Sequence, residues 1–381
     1  MLTIPAISEW SSLVAPPQGE LFGKTLESWR ASARTTLGLT EKPIIVVGHQ
    51  PEFFHPGVLA KFVAASQIAK QTSGVLVHLV VDHHIGNAGI IEMPDTSGQY
   101  LSTKQMAIAI LDSKVAMKDQ PRTEPVSNTV FSDALGKASG ENAAMQFAHA
   151  TDDLMASMAN VDYCIAGTSL LTTELGKAIV LEMKTNPEPC ITAYNNAIQQ
   201  FPACGISLLE QNELPIWRGK TNEKVTTEFD DLRPRALLLT LLARLTLGDL
   251  FVHGMGGYEY DKVMEHWLLA WLDVKPCAMV MATETIALPL QTQSIEQARR
   301  EYFKAPAHFL EAINGAPYGS PERKLHFLRL HTWLEQLHTT PDIGALKNAR
   351  QIAKRRDWAF PLYCERLTKD FLAAKSVATH L

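Results

Sequence analysis

Between Pro43 and Asp82 the hydrophobic positions fall in two rhythms. Ile44-Ile45-Val46-Val47-Gly48 is continuous and rich in β-branched residues, as expected of a strand covered on both faces. Val58 to Ala69 is helical in spacing and propensity, with Pro56 suited to its first position and His55 to its cap. After Gly74, Val75 to Asp82 is a second apolar strand. Strand, helix and strand in this order predict a βαβ unit with parallel strands and a right-handed crossover.

The alternation returns later in the chain. Arg233-Pro234-Arg235 opens a helix to about Leu247, and Leu250 to His253 follows as a strand. A loop containing Gly254, Gly256 and Gly257 leads into a helix over Asp261 to Leu272, and Cys277 to Met281 is another strand. The fold class is therefore α/β: a Rossmann-like, doubly wound, mainly parallel sheet with a helical insertion and a helical C-terminal region. Residues 1–130 read as the N-terminal half of the core, 131–212 as the insertion, 213–290 as the C-terminal half and 291–381 as the C-terminal region. Within these, Ile90 to Ile110 alternates like antiparallel strands turning at Ser97-Gly98. Asn142 to Met158, Glu174 to Met183 and Ile191 to Phe201 are predicted helices, and the core resumes at Leu214-Pro215-Ile216-Trp217. The basic stretch Lys347 to Arg356 reads as a solvated helix face.

Composition narrows the function. The 381 residues are 46% hydrophobic and 20% charged, ordinary for a globular protein. A net charge of -5 argues against nucleic acid or an anionic membrane as partner, since both select basic surfaces. Met1 to Glu20 lacks the pattern of a signal peptide. Leu237 to Leu250, the most hydrophobic stretch, carries Arg244 and Asp249 and falls short of the roughly 20 residues a membrane span needs. Five scattered cysteines without a CxxC pair argue against a disulfide scaffold or thiolate zinc, and Cys164 and Cys277 read as core residues. The expectation is a cytoplasmic protein acting on a small molecule, with a homodimer compatible with the sequence.

The candidate chemistry sits where the strands end, the edge at which open parallel sheets bind ligands. The first cluster, Gly48 to Gly57, supplies His49 and His55 as catalytic candidates and Gln50 as a substrate contact. Gly57, at a helix start, is a candidate anion or nucleotide contact. The second cluster supplies Asp82, His83 and His84 for acid–base work, with Asn87 as a further substrate contact. The third, His253 to Glu259, offers backbone N–H groups at Gly254, Gly256 and Gly257 to an anion, with Glu259 facing substrate. Arg233 could grip a carboxylate.

The order of Gly48-His49-Gln50 with Pro56-Gly57, Asp82-His83, Leu232-Arg233-Pro234, and Gly254, Gly256, Gly257, Glu259 with Tyr260 resembles the cysteine-adding ligase of bacillithiol biosynthesis. The resemblance implies a Rossmann-like core related to class I aminoacyl-tRNA synthetases and nucleotidylyltransferases. It also implies a ligase or transferase joining an amine-bearing molecule, such as an amino acid, to a carboxylate or sugar-linked acceptor, with ATP or another nucleotide as a candidate cofactor. Two alternatives stand beside it. Asp82-His83-His84 also matches the signature of metal-dependent phosphoesterases, in which His49, His55, Asp82 and His84 would hold a divalent metal. The other is a non-catalytic ligand-binding protein.

Overall fold

A computed structural model describes residues 1–95, 102–284 and 307–339. The central sheet has six strands: β1 (Leu2–Ile4), β2 (Ile44–His49), β3 (Val75–Val80), β4 (Tyr163–Ala166), β5 (Leu250–His253) and β6 (Ala278–Thr283). Their spatial order is β1-β6-β5-β2-β3-β4. Every neighbouring pair is parallel except β1 against β6. From β2 the chain steps outward through β3 to β4, then returns to the other flank of β2 with β5 and β6. The strand order therefore reverses between β2 and β5, the crevice position of a doubly wound sheet. The fold is Rossmann-like α/β.

Helices cover both faces, which is why the strands read as unbroken apolar runs. On one face Val46, Val77 and Phe251 pack with α1 (Leu26–Thr36), α4 (Glu174–Thr185), α5 (Pro187–Gln200), α6 (Ala236–Thr246) and α7 (Met255–Leu272). On the other lie α2 (Pro56–Gln71), with Phe62 edge-on to His78, and α3 (Ala143–Met155), with Met145 and Ala148 against Val80. Below the sheet, the buried Asp249 carboxylate accepts from Arg30, Arg34 and the Ile44 amide at 2.6, 2.8 and 2.7 Å, fastening α1 to the starts of β2 and β5.

Three local readings change. The segment 131–212 contributes a core strand, β4, whose four residues are too short to show a period. Leu214–Arg218 joins Glu223–Val225 and Leu232–Pro234 in a separate antiparallel sheet instead of resuming the central one. The glycine loop at 254–257 is the first turn of α7, with Gly254 at its cap.

The chain forms two compact units, and everything above belongs to the larger. Of the described residues, the smaller takes in 92–95, 102–106 and 307–339, with most of the strand pair Ile90–Asp95 and Ser102–Ala107 and the helix Pro321–Thr339. Ser97-Gly98 and the basic stretch Lys347 to Arg356 lie outside the described residues. No helix among the described residues is long and apolar enough to cross a membrane.

Candidate active site

The carboxyl ends of β2, β3, β4 and β5 share one edge of the sheet, and each carries polar residues. His49 ends β2, Asp82 follows β3, Thr168 follows β4 and His253 ends β5. The Val81 amide donates to the His49 carbonyl at 2.9 Å, joining the first two clusters.

Lys61 joins the first cluster to the third. It rises from α2, is 5% exposed, and donates from Nζ to the Gly48 carbonyl at 2.8 Å. A Cβ added at Gly254 would stand 3.6 Å from its Cδ, so the lysine lies across the gap between the β2 end and the α7 cap. Burial lowers its pKa to about 7. His49 is held well below an ordinary histidine, first by burial and then by the charge of Lys61. Its ring meets Phe54 edge-on at 5.1 Å, and Nε2 lies 3.9 Å from Glu52, beyond hydrogen-bonding reach.

His253 forms a dyad. Its Nε2 is 2.9 Å from Asp261 Oδ2, and the same carboxylate oxygen accepts from Arg244 at 2.6 Å. All three side chains are buried. Burial raises the Asp261 pKa, but His253 and Arg244 outweigh that and set it at about 2. His253 is itself lowered, by burial against the opposing pull of Asp261. A Cβ at Gly257 would come 2.5 Å from His253 Nδ1, so this glycine provides clearance for the ring. None of Gly254, Gly256 and Gly257 has a positive φ, so a left-handed turn is not their purpose.

Asp82 is built into the β4 end. It accepts from the Thr168 amide at 2.9 Å and from the Thr168 hydroxyl, and His83 Nδ1 lies 3.6 Å away. Burial pushes its pKa up, yet His83 and Thr168 more than compensate and leave it lowered. His84 is half-buried and lowered, by burial and then by His83.

The remaining candidates are placed as follows. Gln50 is half-buried beside His49, and Asn87 is exposed. His55 Nδ1 caps α2 at the Gly57 amide at 3.1 Å, and the His55 carbonyl takes the Val58 and Leu59 amides. With Pro56 lacking an N–H, the first turn of α2 leaves no amide for an anion. A Cβ at Gly57 would meet the Glu284 carbonyl at 3.0 Å, so close packing also accounts for that glycine. Arg233 is fully buried and paired with Asp119 at 2.5 Å and Asp231 at 2.8 Å, a structural tie and not an open grip. Glu259 is exposed and bonds Lys262 at 3.0 Å. Among the described residues His49, His55, Asp82 and His84 do not gather as a metal-ligand set; the donor atoms that converge within 4.8 Å belong to His78, Asp152 and Cys164.

Comparison with known proteins adds little to this geometry. No protein-family model matches the chain, and neither does any curated protein. Among solved structures, the tyrosyl-tRNA synthetase of Archaeoglobus fulgidus, complexed with L-tyrosine, is similar over 74% of this chain. The identity is 13% and the TM-score 0.29, and the match spans 65% of the synthetase's length. At that level the likeness carries no argument about activity.

Sequence reasoning missed Lys61, Asp261 and Thr168. Lys61 left a signal: it is a cation inside the otherwise apolar run Val58 to Ala65. Asp261, eight residues after His253, could have been paired with it once the glycines were read as helical. Thr168 lies 86 residues from Asp82 and left none.

Proposed function

We propose that the protein is a small-molecule ligase or transferase that joins an amine to a carboxylate or sugar-linked acceptor. What carries the reading is one grouping: Lys61, titrating near neutrality, lies at the strand-order reversal with neutral His49 on one side and the His253–Asp261 dyad on the other. An amine attacks only after losing a proton, so the reaction needs a base unprotonated near neutral pH. Lys61 meets that need, and so do histidines lowered by burial. When the amine nitrogen bonds the acceptor carbon, its proton passes to one of these bases while the leaving oxygen takes the displaced electron pair. The N–H donors of Lys61 and His49 are suited to stabilise that oxygen. Asp261 fixes the His253 ring through Nε2, leaving Nδ1 as its other ring nitrogen. Asp82, held by Thr168, positions His83. The resemblance of the motif order to the cysteine-adding ligase of bacillithiol biosynthesis supports an amino acid as the amine, with ATP or another nucleotide as the candidate activator.

The test is a panel assay. Purified protein is incubated with amino acids, carboxylate and sugar-linked acceptors, with and without ATP, and amine-linked products are sought by mass spectrometry. The expected result is a product whose formation His49→Ala and His253→Ala abolish without lowering the urea midpoint by more than the loss of packing explains. Undiminished turnover in both variants removes this site from the chemistry.

A further inference from the structure

Near Asp82 lies a groove to which the reaction above assigns no residue. It has a volume of about 710 Å³ and is lined on one side by α4. Lys177, Val180, Leu181 and Lys184 recur there at helical spacing, so they share one face of that helix. Lys118, Phe229 and Leu232 line it as well. Two lining residues also touch Asp82: Thr168 through its amide and hydroxyl, and Lys118 through its amide, 2.9 Å from the Asp82 carbonyl. The groove therefore shares two residues with the packing around Asp82.

Its chemistry is lopsided. Three ammonium groups line it, and none has a carboxylate partner among the described residues. Glu174, the acid in the first turn of α4, pairs instead with Lys24 at 3.3 Å. Between the cations the surface is apolar: Leu181 is 59% exposed, and Lys184 lies 5.1 Å from the centre of the Phe229 ring. An exposed leucine alone would be ordinary, but here Leu181 shares the groove with Val180, Phe229 and Leu232 and with three cations that lack carboxylate partners among the described residues. Unpaired cations around an apolar floor complement a ligand with the inverse pattern, and the volume is that of an ordinary small-molecule site.

We propose that this groove binds a small amphiphilic anion, an aromatic or acyl body carrying carboxylate or phosphate groups. The body would lie against Leu181 and Phe229, with its charges spanning Lys118, Lys177 and Lys184. As the acceptor subsite it rests on the ligase reading; as a binding site it does not, and its test needs no turnover.

The probe is 1-anilinonaphthalene-8-sulfonate, an anionic fluorophore, used on the full chain. Its uncharged counterpart, N-phenyl-1-naphthylamine, serves as comparison. Expected are saturable 1:1 binding of the sulfonate, at least tenfold weaker affinity in Lys177→Glu/Lys184→Glu, and a similar loss in Phe229→Ala. Affinity should also fall with added salt, since exposed cations carry it. The neutral probe should bind wild type more weakly and lose little in the lysine variant. Lys177→Gln/Lys184→Gln, on an exposed helix face, repeats the test without charge reversal, and urea midpoints confirm folding. Absence of saturable binding, or affinities within twofold of wild type in both lysine variants, overturns the proposal. Lys61→Met should bind the probe normally, so a failed ligase reading and a failed groove give different results.

Discussion

Lys61→Met should make the protein more stable at neutral pH and inactive. A lysine lowered from 10.5 to about 7 has lost about 3.5 pH units of its preference for the proton. At about 1.4 kcal/mol per unit, its burial costs the fold roughly 4–5 kcal/mol at pH 7 and below. Methionine keeps most of the aliphatic stem and removes that cost, but leaves the Gly48 carbonyl without its 2.8 Å donor, a loss of about 1–3 kcal/mol. The net expectation is about 1–4 kcal/mol of added stability at pH 7. The pH dependence has a definite sign. Because the folded-state pKa is depressed, the wild type is most stable with respect to this group above its unfolded value of 10.5. That stability is lost as pH falls toward about 7, and is flat below. The advantage of the variant should therefore shrink by about 1.3 kcal/mol per unit from pH 8 to 10 and vanish or reverse at the top. Urea midpoints of both proteins at pH 6, 7, 8, 9 and 10 measure it. A difference that stays constant across that range would show that Lys61 ionises like an ordinary lysine, and the argument for a base matched to neutral pH would fall with it.

Two further substitutions test the dyad. Asp261→Asn should cost about 3–5 kcal/mol, because it strips the buried Arg244 of a charge partner, and should release the His253 ring. Since Asp261 is held at about 2, its stabilising contribution is complete above the unfolded value near 3.8 and fades as pH falls toward 2. The wild-type advantage should narrow over that interval in acid unfolding followed by circular dichroism. Gly257→Ala should cost about 1–3 kcal/mol and reduce turnover, since the new methyl meets a ring already anchored to Asp261. Gly256→Ala, with nothing within 4 Å of the added carbon, should be neutral or gain up to about 1 kcal/mol from helix propensity. Equal effects of the two alanines on thermal unfolding would refute the clearance argument.

What could be read in advance was set by how local each signal is. The strands at 44–49, 75–80, 250–253 and 278–283 announced themselves because burial on both faces leaves nothing polar to interrupt the run. With their order known, the rule for open sheets placed His49, Asp82 and His253 on one edge. β4 escaped because four residues carry no period. The glycines of α7 read as a loop in the sequence because glycine is a poor helix former, yet the reason for one of them is a histidine ring. Arg233 looked like an anion grip because a guanidinium beside a proline at an element boundary is the same string in either role. Only the fold brings Asp119 to it, from 114 residues away. Lys61 needed the converse lesson: a charge within an apolar helix is worth pursuing because its burial demands a reason.

The antiparallel edge strand has an implication for how the molecule comes into being. Leu2, Thr3 and Ile4 pair with Thr283, Ala282 and Met281, so this strand finds its partners across some 280 residues of sequence. On a ribosome, where segments fold in the order they emerge, this strand cannot be seated in the sheet until β6 has been made. Until then β6 is a bare sheet edge, open to pairing with another chain. Strand β1 acts as the closing latch of the sheet, and deleting it should promote self-association before it disturbs the distant strand-end chemistry.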